Sequence, residues 1–303
     1  MELSTQPPSH SAAYLGEHRD FWWNVDFLEL MAKRWDLKHV HSLLDVGCGL
    51  GHWGQSLEQF LPKKAVVYGV DREEEWIEKA KARTEHLGER FNYQVSKAEK
   101  IPFPDNSFDL VTCQTLLLHV HDVMKVLKEM LRVLKPGGLL AVVEPNNSIT
   151  EIVFDTVSYK ETATDSTRAV QFHMNCERGQ QKLGHGFSSI GDILPAYFHK
   201  LNLEEIKVYL SDKTTPLIPP YNTSEQQAFI RLLKEWYEGE LFVWDKEESK
   251  KYFLANGGTE EEFVEEWTFI KERCGKRIEA IENNTYATAG GCLLYLISGR
   301  KTV

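Results

Sequence analysis

Asp45 stands two residues ahead of alternating glycines at Gly47, Gly49 and Gly51, with Gly54 three residues further on. Asp71 follows roughly twenty residues later, at the tip of a second apolar run. Residues of these types do binding chemistry. Glycine tolerates positive φ and lets the backbone approach a ligand closely. A carboxylate accepts hydrogen bonds through both oxygens and attracts a cationic group. The helix after such a turn is expected to point free N–H groups at the ligand. Proton-transfer candidates lie elsewhere, at His119 after a fourth apolar run and Glu144 at the end of a fifth. A partly buried histidine bonded to backbone is the competing reading of His119. The pairs His39-x-His41 and His119-x-His121 have no identifiable third ligand, and no metal is expected. The chain has neither a G-x-S-x-G elbow nor a phosphate loop ending in Gly-Lys-Ser/Thr.

Gly49-x-Gly51-x-x-Gly54 fits the dinucleotide pattern, and Asp71 is spaced to take a ribose. That reading implies a nicotinamide cofactor and an oxidoreductase. Asp45 opposes it, because an acid so close to the turn is poorly placed beside an anionic pyrophosphate. It suits a ligand with cationic groups and no phosphate, such as the ammonium and sulfonium of S-adenosylmethionine. Asp71 has a structural alternative as a loop acid capping a helix that starts at Glu73.

Strands are expected at Ser42 to Val46, Ala65 to Val70, Phe91 to Val95, Phe108 to Cys113 and Leu139 to Val143. Helices are expected from about Asp20 to Trp35, from the glycine turn to about Phe60, and over Glu73 to Leu87. The helix Asp122 to Leu134 has the cleanest apolar periodicity, with Val123, Val126, Leu127, Met130, Leu131 and Leu134 on one face. Such alternation predicts a mostly parallel sheet with right-handed crossovers and helices on both faces. After Pro145 the rhythm breaks. Residues 146–189 read as polar and irregular, with short helices near Ile149 to Tyr159. A helix over Ile190 to Leu201 and a strand over Glu205 to Leu210 come next. Capping boxes at Ser224-x-x-Gln227 and Thr259-x-x-Glu262 open two later helices, a shorter helix fills Asp245 to Ala255, and Gly290 to Ser298 returns to strand character.

Three further segments are Ala98-Glu99-Lys100-Ile101-Pro102-Phe103-Pro104, Asp105-Asn106-Ser107-Phe108-Asp109-Leu110-Val111 and Leu131-Arg132-Val133-Leu134-Lys135-Pro136-Gly137-Gly138. With Leu43 to Gly51 they resemble the class I S-adenosylmethionine-dependent methyltransferases, in particular the broad group acting mostly on small molecules. The resemblance covers roughly Tyr14 to Pro145. It implies a Rossmann-like, mostly parallel seven-stranded sheet ending in an antiparallel hairpin. It also implies that Asp45, Gly47, Cys48, Gly49 and Gly51 hold the methionine part of the cofactor and Asp71 its ribose. Arg72 would flank the adenine, the Ala98 backbone would meet its edge, and Gln114 would line the methionine side. Tyr14 is placed to close over the cofactor. One departure stands out. Many relatives carry an acid just before the alanine, whereas here Lys97 occupies that place and leaves Glu99 or water for the adenine amino group.

The domain expectation is a core over 1–145, a core continuation with a substrate-side insertion over 146–213, a helical cap over 214–286 and a final core strand over 287–303. Aromatic residues after Asn146, among them Phe154, Tyr159, Phe172, His173, Phe187, Tyr221, Trp236, Phe242 and Trp244, point to a partly apolar small-molecule acceptor if some line the cleft. The duller reading is that most of them build the insertion's own core. The 303 residues carry a formal net charge of −10, which disfavours a nucleic-acid partner. Five scattered cysteines, no recognisable secretory signal and no apolar run of membrane-spanning length predict a cytoplasmic protein with free thiols. The competing functions are an RNA or protein methyltransferase, a non-catalytic cofactor-binding scaffold and a dinucleotide oxidoreductase.

Overall fold

The computed structural model describes residues 16–303. Its contacts divide the chain into two units. One comprises residues 23–153, 180–214 and 291–303, and the other the described residues up to Trp22 with 154–179 and 215–290.

The first unit begins with α1 (Val25–Arg34) and then alternates: β1 (Ser42–Val46), α2 (His52–Glu58), β2 (Val66–Asp71), α3 (Glu74–Thr84), β3 (Phe91–Val95), β4 (Phe108–Gln114), α4 (Val123–Val133) and β5 (Leu134–Asn146). Further along come α5 (Ala163–Lys182), α6 (Leu194–Lys200) and β6 (Glu204–Leu210). The chain ends with α7 (Ser224–Glu238), α8 (Lys246–Ala255), α9 (Glu260–Glu282) and β7 (Leu293–Arg300). The sheet has the order β3-β2-β1-β4-β5-β7-β6. β1 to β5 pair in parallel, and β7 runs antiparallel between β5 and β6. The expected mostly parallel seven-stranded sheet is therefore present.

Alternation along the central strands explains why both faces are dry. Leu44, Val46, Val111, Leu140 and Val142 face a core completed by Val126, Leu127 and Met130 of α4. Leu43, Leu110, Leu139, Ala141 and Val143 face the opposite core with Met31, Trp35, Trp53 and Leu57. A strand buried on both faces reads as a near-continuous apolar run, as these do apart from polar residues such as Asp45 in β1 and Asp109 and Thr112 in β4. The motif residues outside the glycine turn are largely structural. Asp109 accepts from the N–H groups of His41 and Ser42 at 2.9 Å each and pairs with Lys135 at 2.6 Å, fixing the entry of β1. Arg132 donates to the carbonyls of Ile101 and Phe103 and to Asp105 and Glu129, pinning the whole Ile101 to Asp105 loop to α4.

Three expectations are corrected. β5 starts at Leu134 rather than Leu139, because the residue before Pro136 is kept out of the helical region and the chain extends at once. The stretch read as irregular contains the 20-residue α5. The capping box of α7 uses Thr223 and Gln226, one residue ahead of the pair expected, whereas that of α9 uses Thr259 and Glu262.

The second unit groups residues 154–179 with 215–290, whereas the sequence had suggested keeping 146–213 together. Its cores form around Phe172, Trp244, Phe253, Phe263 and Trp267, and around Leu217, Tyr221, Ile230, Ile281 and Tyr286. A Cβ at Gly179 of α5 would stand 1.7 Å from the Tyr252 carbonyl oxygen of α8. Gly179→Ala is therefore expected to lower stability by about 1–3 kcal/mol or more. Thermal unfolding reads this, and an unchanged melting temperature would mean the helices are not packed so closely.

Candidate functional site

The glycine turn is lashed to the neighbouring strand. The N–H groups of Gly47 and Cys48 both donate to the Val70 carbonyl, at 2.7 and 3.0 Å, and Gly51 closes the turn on Cys48 at 2.8 Å. Gly47 and Gly51 have φ of +69° and +78°, and neither has room for a side chain. A Cβ on Gly47 would meet Leu116 at 2.7 Å, and one on Gly51 would meet the Tyr93 hydroxyl at 2.4 Å. Glycine is required at both on conformational and steric grounds.

Two buried carboxylates face this turn. Asp71 accepts from the Gly49 N–H at 2.9 Å through Oδ2 and from the Glu73 N–H at 3.0 Å through Oδ1. It thus ties the cradle to the start of α3, and a carboxylate with about four acceptor sites retains capacity for a ligand. Asp45 accepts from Gly54 N–H at 3.2 Å through Oδ2, while its buried Oδ1 has no hydrogen-bond partner. Burial pushes the Asp45 carboxyl up to about 8, with the nearby Asp71 adding to the effect. Burial also raises Asp71, against the opposing pull of the Glu73 and Gly49 N–H groups. An orphaned buried acceptor is costly and calls for a partner. The Gly54 contact also changes one expectation: that N–H in the first turn of α2 is taken by Asp45 rather than left for a ligand.

The remaining sequence candidates are distributed around this pair. Cys48 is buried within the turn and Gln114 is buried at the end of β4. The Ser96 N–H donates to the Asp71 carbonyl at 2.7 Å, which sets the half-buried Ala98 beside the end of β2. Lys97 and Glu99 are exposed, and Arg72 is exposed and paired with Glu73 at 3.0 Å. Tyr14 lies outside the described residues. His119 is exposed at the end of a short 3-10 turn, Leu117–His119.

Glu144 is not the accessible base that its position in the sequence suggested. It is fully buried, with Oε1 accepting from the N–H groups of Leu116 and Leu117 at 2.9 and 2.7 Å and Oε2 from Leu118 at 3.3 Å. His39 pairs with Asp36, and no group of three or more His, Cys, Asp or Glu side chains able to hold a metal occurs among the described residues. Sequence reasoning missed the partners that shape the turn: Leu116 over Gly47, Tyr93 over Gly51, and Trp53, whose indole N–H reaches the Thr112 hydroxyl at 2.9 Å. None carries a motif signal, since each contact joins segments distant in sequence.

The central part of the chain, residues 44–142, matches the family described as Methyltransferase domain. With the sheet order and the carboxylate-lined glycine turn, this makes the matched part of the chain a domain of the class I S-adenosylmethionine-dependent methyltransferase type, with its Rossmann-like fold. Among its relatives is the uncharacterized methyltransferase YcgJ of Bacillus subtilis strain 168, 37% identical over 118 residues, or 39% of this chain and 46% of that protein. Demethylmenaquinone methyltransferase of Geobacillus stearothermophilus is 37% identical over 130 residues, 42% of this chain and 53% of its own. The chain thus spans about half the length of the curated relatives it matches. The crystal structure of the Bacillus subtilis protein superposes with a TM-score of 0.50 at 21% identity, covering 92% of this chain and 100% of that one, a likeness of fold.

Proposed function

We propose that this protein transfers the methyl group of S-adenosylmethionine to a small, partly apolar organic acceptor. The observation that carries the reading is the unpartnered buried Oδ1 of Asp45 beside a glycine turn that leaves no room for side chains. A cation-bearing ligand would draw the group into its carboxylate form and satisfy that oxygen, whereas a pyrophosphate would find no complementary charge there. Asp45, Gly47, Cys48, Gly49 and Gly51 would hold the methionine part, with Gln114 beside it. Asp71 would accept from the ribose hydroxyls, and Arg72 and Ala98 would flank the adenine, with Glu99 or water at its amino group. Bound there, the cofactor supplies a methyl group on a positively charged sulfur, open to in-line displacement by an acceptor atom.

The protein's own part is alignment and exclusion of water. His119 is the candidate to take a proton from the acceptor. The relative named demethylmenaquinone methyltransferase supports a small-molecule acceptor, and the net charge of −10 weighs against nucleic acid. No helix among the described residues is long and apolar enough to cross a membrane. Of the aromatic residues considered for the acceptor, Phe172, Tyr221 and Trp244 belong to cores of the second unit and Phe242 packs against one, while Phe154 and Tyr159 are 62% exposed. No metal enters the proposed reaction.

Calorimetry and thermal shift with S-adenosylmethionine, S-adenosylhomocysteine and NAD test the reading. A ligand at 100 times its Kd should add about 2.7 kcal/mol to stability. Both adenosyl ligands are expected to stabilise the protein and NAD to have no effect, so stabilisation by NAD alone would overturn the proposal. His119→Ala is expected to slow turnover on an identified acceptor while leaving adenosyl-ligand affinity intact. Undiminished turnover would remove His119 as the base.

A further inference from the structure

The segment after β4 is held in a conformation it would not choose alone. Thr115 has φ +52°, left-handed backbone that a β-branched residue strongly disfavours. Such strain persists only where the surroundings over-determine it. Here they do so from two directions. From β5, the Thr115 N–H is taken by the Val143 carbonyl at 2.8 Å, and Glu144 collects the next three N–H groups, those of Leu116, Leu117 and Leu118. From the other side the strap Gly184 to Phe187 closes over the segment. The Phe187 N–H donates to the Leu118 carbonyl at 2.9 Å. A Cβ at Gly186 would lie 2.1 Å from that carbonyl oxygen, and one at Gly184 would lie 2.7 Å from the His121 ring. Both polar groups of the Leu118 backbone are thereby committed. The product of this clamp is the placement of Leu116, whose side chain lies directly against Gly47 of the glycine turn.

Resting on the cofactor reading above, we propose that Glu144 is a positioning residue: by gathering three consecutive backbone N–H groups it sets Leu116 as a wall of the cofactor cradle and fixes the turn that presents His119. An isosteric amide fits this role badly, because its NH2 group offers a donor where a backbone N–H already donates. The carboxylate touches no reacting atom, so its influence passes through the loop.

The test uses the full chain, with S-adenosylhomocysteine calorimetry well below each variant's melting temperature and amide hydrogen exchange at Leu116, Leu117 and Leu118. Glu144→Gln is expected to weaken S-adenosylhomocysteine binding about tenfold and to speed exchange at those three amides relative to the rest of the sheet. Leu116→Ala, which leaves the clamp in place and removes only the wall, is expected to weaken binding with exchange preserved. A residue of merely structural importance would lower the melting temperature and leave the affinity of the folded protein unchanged. Wild-type affinity in Glu144→Gln together with protected amides at 116–118 overturns the proposal. If the wild-type protein binds no S-adenosylhomocysteine, the cofactor reading falls, and the wall with it, while exchange in Glu144→Gln still decides whether the clamp exists.

Discussion

Asp71→Ala is expected to weaken S-adenosylhomocysteine binding by about a hundredfold or more. A carboxylate accepting from both ribose hydroxyls makes two charge-assisted hydrogen bonds, each contributing roughly 1.5–3 kcal/mol, and about 1.4 kcal/mol is a factor of ten. The substitution also strips the Gly49 and Glu73 N–H groups of their acceptor, so the turn loses its tie to β2 as well as its ligand contact. Asp71→Asn separates the two effects. Its single carbonyl oxygen can still receive one of those N–H groups, so the turn should keep more of its shape while the negative charge is lost. Calorimetry of both variants, with unliganded melting temperatures measured alongside, checks the expectation. Affinity within twofold of wild type in Asp71→Ala would show that the ribose site lies elsewhere and that Asp71 serves only as a cap for the turn before α3.

How far the sequence led depended on whether its polar residues sat where polar residues usually sit. β1 and β3 were readable to the residue, β1 because Leu43-Leu44 leads into the turn at Asp45-Val46-Gly47, and β3 because Phe91, Tyr93 and Val95 alternate with the polar Asn92 and Gln94 up to Ser96. α4 was readable because its buried face is wholly apolar. α5 was not, and the reason is visible in its buried face: Ala169, Phe172, His173, Cys176, Glu177 and Gln180 recur at helical spacing, but three of the six are polar. A pattern of apolar residues cannot register a face that buries His173, Glu177 and Gln180. The cap of α7 failed for a smaller reason. Thr223-Ser224 and Gln226-Gln227 each offer two residues of the same chemistry, and only the path of the chain chooses between them.

Within the site, the residues legible in advance were those with a local signature, the glycine turn and the acids at the ends of β1 and β2. Glu144 carried a misleading one. An acid at the end of a strand suggests proton transfer, yet three backbone N–H groups from 26 to 28 residues away consume it. Leu116 and Gly186 carried no signal, since their importance lies in what a neighbouring strand or strap brings against them.

The second large effect concerns pH, and its sign follows from Asp45. Its carboxyl ordinarily titrates at 3.8 and is pushed up to about 8 by burial in the folded, unliganded protein. A raised value means that the folded state holds a proton the unfolded chain has already released. The contribution of this group to stability is therefore complete below pH 4 and is lost progressively as pH rises toward 8. A cationic ligand reverses the preference. An ammonium or sulfonium beside Oδ1 favours the carboxylate, so binding expels the proton, and affinity for S-adenosylmethionine is expected to climb between pH 6 and 8, by at most about tenfold per unit. Calorimetry in buffers of different ionisation enthalpy should register close to one proton released per ligand at pH 6 and a falling number toward pH 8. Asp45→Asn keeps the shape of the site and removes the titration, and it should flatten the slope as well as weaken binding. A wild-type affinity that is level or falls across this range would mean that the cationic groups of the ligand are not placed against Asp45, and that the buried carboxyl stays protonated in the complex.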